Sequence, residues 1–180
     1  MVNYMLMISA ELENLTGFQP QDGCDDANFT YYFKLKCGNC GELTQKETCV
    51  SLNETVSSTK GKSETHLAQK CKFCAREGTV TMISGRGRPL THADAENGKS
   101  APLMLFDCRG YEPLDFVFGS GWKVESVRPI IFYLVECKSL FPSCIFKAYF
   151  IIDEEKRITE KQREYLLGNF LLSNLVSFKS

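Results

Sequence analysis

The chain has 180 residues, of which 43% are hydrophobic and 24% charged, with a formal net charge of −1. That length fits one domain able to bury about two-thirds of its unfolded surface, and the composition excludes intrinsic disorder. The near-neutral balance removes the basic excess expected of a dedicated nucleic-acid binder, although a local basic patch is compatible with it.

In chain order, Leu6, Ile8, Ala10 and Leu12 share one parity with Glu11 and Glu13 on the other, which predicts a half-buried strand. Asn14 to Asp26 contains Gly17, Pro20 and Gly23 and reads as a loop. Phe29, Tyr31, Phe33 and Leu35 alternate with Thr30, Lys34 and Lys36, which predicts a strand that runs into Cys37. Thr48, Val50 and Leu52 form a shorter strand. Asn53 to Thr65 is rich in Ser, Thr, Lys and Gly and predicts an exposed loop. Strands follow over Thr79–Ile83 and Leu103–Cys108, separated by a polar loop from Gly85 to Ser100. Gly110 and Pro113 mark a turn before the apolar run Phe116–Phe118. Short strands between turn signals, with no βαβ alternation, give a mainly β fold of antiparallel sheets, a sandwich or an open barrel.

The last segment reads differently. Ile130 to Ile152 is the most apolar stretch, but Glu136, Lys138, Pro142 and Lys147 interrupt it, which argues against a membrane span and for buried strands or helices. Asp153 caps a predicted helix running to Leu167, with Glu154 and Glu155 in its first turn. The expected organisation is therefore a β domain over 1–127 and a tail over 128–180, part apolar and part helical.

Nine cysteines need a compartment. Met1–Ala10 has no Lys or Arg and no cleavage signal, so a cytoplasmic setting, with the nucleus as the alternative, is expected, and thiols stay reduced there. On the same ground the Asn-x-Thr sequons at Asn14, Asn28 and Asn53 are read as chance.

The chemistry lies in Cys37-Gly38-Asn39-Cys40 and Cys71-Lys72-Phe73-Cys74. Structural zinc takes four ligands in a tetrahedron, and a C-x-x-C turn places two sulfurs along one edge of it. Gly38 and Gly41 ease the sharp turn around the first pair. Lys36, Lys70 and Lys72 are positioned to offset the charge of four thiolates. Chance alone supplies about 0.4 C-x-x-C pairs at this cysteine frequency, and the spacer between the pairs exceeds the usual zinc-ribbon interval, with the polar loop 53–65 as the excess. The rival reading is a redox pair, but a thioredoxin-like C-x-x-C opens a helix and neither motif here does. Cys108, Cys137 and Cys144 fall in apolar runs and read as packing, while Cys24 and Cys49 have no partner motif. His66 and His92 lie in polar loops and read as solvent-exposed, with His66 a spare ligand at most. Gly85-Arg86-Gly87-Arg88 reads as a flexible basic loop, not a phosphate cradle.

Three blocks, Leu35–Glu42, Gln69–Glu77 and Phe106–Phe116, together with Gly119–Lys123, resemble in that order the eukaryotic CXXC-motif-containing zinc-binding proteins, over residues 4–127. The resemblance implies a mostly β fold and one zinc ion held by Cys37, Cys40, Cys71 and Cys74. It does not extend into the tail. In the third block, Arg109 pairing with Glu112 or Asp115 across the turn is the structural reading, and a partner surface is the other. A closed four-thiolate site leaves no open position for catalysis, and no P-loop, H-E-x-x-H, nucleophile elbow or dinucleotide motif is present. The expected function is a non-enzymatic zinc-binding module that contacts an unidentified protein. The alternative is a zinc-ribbon-like RNA binder using Lys34, Lys36, Lys70, Lys72 and Arg76 with Tyr32 and Phe73.

Overall fold

The computed structural model describes residues 2–58, 64–127, 132–135 and 146–153. In chain order these form β1 (Val2–Ala10), β2 (Leu15–Pro20), β3 (Tyr31–Cys37), β4 (Thr48–Val50), β5 (Val56–Ser57), β6 (Glu64–Thr65), β7 (Leu67–Lys70), β8 (Glu77–Ile83), α1 (His92–Glu96), β9 (Ala101–Arg109), β10 (Tyr111–Val117), β11 (Trp122–Ser126), β12 (Phe132–Val135) and β13 (Phe146–Ile152). Every named pairing is antiparallel. A five-stranded sheet has the order β13-β1-β9-β8-β7, and two three-stranded sheets have the orders β10-β3-β4 and β12-β11-β2. Among the described residues, β5 and β6 pair only with each other. Among the described residues, no helix is long and apolar enough to cross a membrane.

The alternation in β3 does what its sequence predicts. Tyr31, Phe33, Leu35 and Cys37 are buried, while Tyr32, Lys34 and Lys36 face outward. The buried row meets the five-stranded sheet through edge-to-face aromatic pairs: Phe33 with Phe106 at 5.4 Å, Phe33 with Phe150 at 5.5 Å and Tyr31 with Phe106 at 5.8 Å. Such rings stack two sheets into a sandwich and add about 0.5–1.5 kcal/mol per pair beyond their area burial. Trp122 closes the other end of the core, fully buried, with Phe18 stacked on it at 4.7 Å and Phe29 edge-on at 5.0 Å.

Four stretches differ from the expectation. The predicted loop 14–26 contains β2. Gly17, at φ +69°, and Phe18 together stand opposite the single residue Val124, which makes a bulge. The bulge puts Leu15 and Phe18 inside the core although their sequence parity is opposite. The predicted loop 85–100 contains α1. Its capping box links Thr91 and Asp94, and Arg88 pairs with Asp94 at 2.6 Å. Finally, Pro113 does not end a strand. It sits inside β10, opposite Leu35, where a missing N–H is tolerated because β10 is an edge. In the predicted loop 53–65, Thr65 is buried, and its hydroxyl donates to the Val80 carbonyl at 2.7 Å.

The expected boundary at residue 127 falls between β11 and β12. Both later strands pair with earlier ones, β12 with β11 and β13 with β1 from Ala10↔Phe146 to Tyr4↔Ile152. The predicted helix from Asp153 to Leu167 lies outside the described residues, as do Cys137 and Cys144.

Candidate metal centre

Two turns build the site, and they share one hydrogen-bond pattern. In the first, the Cys37 N–H donates to the Glu42 carbonyl at 2.8 Å and the Gly41 N–H to the Cys37 carbonyl at 2.8 Å. In the second, the Cys71 N–H donates to the Arg76 carbonyl at 2.9 Å and the Ala75 N–H to the Cys71 carbonyl at 2.9 Å. Each turn needs a left-handed residue after its second cysteine. Gly41 adopts it at φ +77° without cost, whereas Ala75 adopts it at φ +58° at a cost of about 1 kcal/mol. The first turn ends β3 and the second joins β7 to β8, so each sulfur pair is fixed by a different sheet. Arg76 Nη1 crosses from the second turn to donate to Asn39 Oδ1 in the first, at 2.8 Å.

All four sulfurs, of Cys37, Cys40, Cys71 and Cys74, lie within 4.8 Å of one another. The contacts between turns are short, with Cys37 Sγ 3.7 Å from Cys74 Sγ and Cys40 Sγ 3.6 Å from Cys71 Sγ. A tetrahedron with Zn–S bonds of about 2.3 Å has edges of about 3.8 Å, so the donor set and its spacing fit zinc. Cys37 and Cys71 are buried, Cys74 half-buried and Cys40 exposed. The Cys40 and Asn39 amides point at the Cys37 sulfur and hold its thiol below the ordinary value. The Arg76 amide, helped by Asn39, brings Cys74 down to about 6. At Cys40 the Glu42 amide lowers the pKa, but local desolvation and the neighbouring sulfurs of Cys71, Cys37 and Cys74 outweigh it and push the thiol up to about 12. Four adjacent sulfurs cannot all ionise alone, and a divalent cation removes that conflict.

Of the three lysines expected to offset the thiolates, Lys36 is engaged elsewhere: its Nζ lies 3.1 Å from Glu112 Oε2. Arg109 pairs with Asp107 at 3.2 Å, not with Glu112 or Asp115, and Asp115 pairs with Lys34 at 3.8 Å. His66 is half-buried, and its Nδ1 accepts the Met82 N–H at 2.9 Å. His92, also half-buried, sits 3.4 Å from Glu96. Neither histidine joins the sulfur cluster. Cys108 and Cys24 are buried in the core, and burial pushes their thiols up to about 12 and about 11. Neither C-x-x-C turn opens a helix.

Sequence reasoning missed the support beneath the site. Tyr111 stands opposite Cys37 in the β3–β10 ladder, and the Gly38 N–H donates to the Gly110 carbonyl at 3.0 Å. Gly78 packs against this turn so closely that a Cβ there would lie 2.6 Å from the Arg109 carbonyl and collide with the Tyr111 ring. The run Gly110-Tyr111-Glu112 is the one sequence signal for it, and it needs the strand register to be interpreted.

Comparison with known proteins agrees with this site. The eukaryotic family "CXXC motif containing zinc binding protein" matches residues 5–140. A human protein of that name is 38% identical over 123 residues, covering 68% of this chain and 73% of its own length. The crystal structure of C1orf123 superposes with a TM-score of 0.63 at 30% identity, covering 89% of each chain. A hypothetical protein from Plasmodium falciparum shares the fold, with a TM-score of 0.65 at 14% identity over 84% of this chain and all of its own.

Proposed function

The chain belongs to the eukaryotic family of CXXC motif containing zinc binding proteins, and on that premise we propose that it holds one structural Zn²⁺ through Cys37, Cys40, Cys71 and Cys74 and acts as a non-enzymatic protein-interaction module. The observation that carries this reading is the closed set of four sulfurs, all within 4.8 Å, supplied by two matching turns. Four thiolates fill the coordination shell of zinc and leave no position for water or substrate, which distinguishes structural from catalytic sites. The ion then fixes a rigid pair of loops from two sheets. Such a site belongs in a reducing compartment, the cytoplasm, where the thiolates stay free of disulfides.

A protein partner is favoured over RNA by the fate of the basic side chains. Lys34 and Lys36 pair with Asp115 and Glu112, which leaves fewer cations to meet phosphates. The test has three parts. Native mass spectrometry under reducing conditions should find one zinc per chain. A pull-down with the zinc-loaded protein should capture a protein partner. Any RNA binding should show a salt slope too shallow for several phosphate contacts. A metal-free chain, or tight and steeply salt-dependent RNA binding, overturns the reading.

A further inference from the structure

Beside the sulfur cluster runs a groove of about 380 Å³, between the segment 42–48 on one wall and 69–73 on the other. Its lining includes Tyr111, which is 4% exposed and whose buried hydroxyl is within reach of the Gln69 side chain.

The walls say what kind of molecule fits. One includes Gln69 and Lys70 of β7, which among the described residues is paired on one side only, at the edge of the five-stranded sheet. The other includes Thr48 of β4, likewise an edge strand. An edge strand offers a row of backbone donors and acceptors that an extended peptide can pair with. The rim is apolar at Phe73, which is 79% exposed, and at Leu43, which is 50% exposed. Three lysines, Lys46, Lys70 and Lys72, line the groove against two acids, Glu42 and Glu47. Among the described residues none of these lysines has an ion-pair partner, unlike Lys34 and Lys36. Lys70 ends β7 and Lys72 lies in the turn that follows it, beside the place an added strand would take.

We infer that this groove is the docking site for an extended, acidic peptide segment of another protein, added alongside β7. The inference rests on the interaction-module reading and specifies its surface. Phe73 and Leu43 would cover the peptide's apolar residues, and Lys70 and Lys72 would meet its carboxylates.

The test pans displayed random peptides of about ten residues, long enough for one strand, against the full zinc-loaded chain. Recovered sequences should be rich in Asp and Glu between β-branched residues. A synthetic copy should shift the backbone amides of Ala68, Gln69 and Lys70. Its affinity should fall about tenfold or more on Lys70→Glu with Lys72→Glu. The inference is overturned if no acidic sequence is recovered, if the peptide binds as a helix, or if this variant binds it like the wild type. It is equally overturned if the groove is filled by a second copy, seen as a dimer that the same substitutions dissociate. Native mass spectrometry of the same samples separates the two proposals. One zinc with no peptide binding removes the groove but not the structural site, whereas a metal-free wild type removes the structural site whatever the peptides do.

Discussion

Cys37 and Tyr111 are register partners across β3 and β10, so one backbone alignment positions both a candidate zinc ligand and the phenol in the groove lining. A change that shifts this register moves both together. The tightest point beneath it is Gly78, where any side chain meets the Tyr111 ring and the Arg109 carbonyl. Gly78→Ala should therefore destabilise the protein by about 1–3 kcal/mol through overpacking and weaken zinc retention at the same time. Urea unfolding and competition with a zinc chelator read the two effects. An unchanged midpoint would show that the β9–β10 turn gives way freely.

Removing the metal should do more than empty a site. Structural zinc in small sites contributes on the order of 10–16 kcal/mol, which exceeds the net stability of a typical domain. Cys37→Ser or Cys71→Ser should abolish stoichiometric zinc, and chelation should unprotect β3, β7 and β8 first in hydrogen exchange. Retained protection across 31–37 and 77–83 after complete zinc loss would show that the sandwich holds these strands unaided.

Thiol labelling should follow a set order. In the zinc-loaded protein the exposed Cys49 should react first and the four site cysteines slowly. Cys24 and Cys108, buried and with thiols raised to about 11 and about 12, should stay unlabelled until the core opens, with or without zinc. Fast alkylation of Cys37 or Cys71 with zinc present would support redox chemistry at the site instead.

The cap of α1 gives a pH signature. The Arg88 guanidinium, with the Thr91 hydroxyl and amide, holds the Asp94 carboxyl well below the usual carboxylate range. A folded pKa lowered in this way means that the contribution is complete above the unfolded value, about 3.9, and is lost as pH falls through the folded value. The stability advantage of wild type over Asp94→Asn should thus be constant from about pH 5 upward and shrink at lower pH. Denaturation series from pH 7 to pH 2 measure it, and a gap that widens on acidification would contradict the assignment.

Much of this architecture is legible before folding, and what is hidden has identifiable causes. β3 announces itself because no bulge interrupts Tyr31, Phe33 and Leu35. β2 does not, because Gly17 and Phe18 share one ladder position and break the period of two. The four ligands are visible in their x-x spacing, since each turn is a local device. The engagement of Lys36 by Glu112 is not, because that acid arrives from 76 residues away through the β3–β10 pairing. The same holds for Tyr111, whose environment depends on two strands and the Gly78 contact.

The chain beyond residue 127 bears directly on β1. β13 covers one whole side of that strand through seven paired residues. Ending the protein at residue 127 should leave β1 as a bare apolar edge and produce oligomers or aggregates in place of the full chain's behaviour. Sedimentation of the truncated and full-length proteins decides this, and a monomeric truncation with unchanged melting would locate the complete fold before residue 128.

The two matching turns come from different sheets, so an ion between them works as a clasp. It joins Cys40 to Cys71, 31 positions apart, and the backbone between them becomes a closed ring whose circumference is set by the sequence alone. The entropy of such a ring grows only with the logarithm of its length, about 0.6 kcal/mol per doubling. The hairpin β5–β6 sits on this ring, and residues inserted near its tip would lengthen a circle that is already fastened. This part of the chain is therefore where length can vary most freely while the metal and both sheets stay in place.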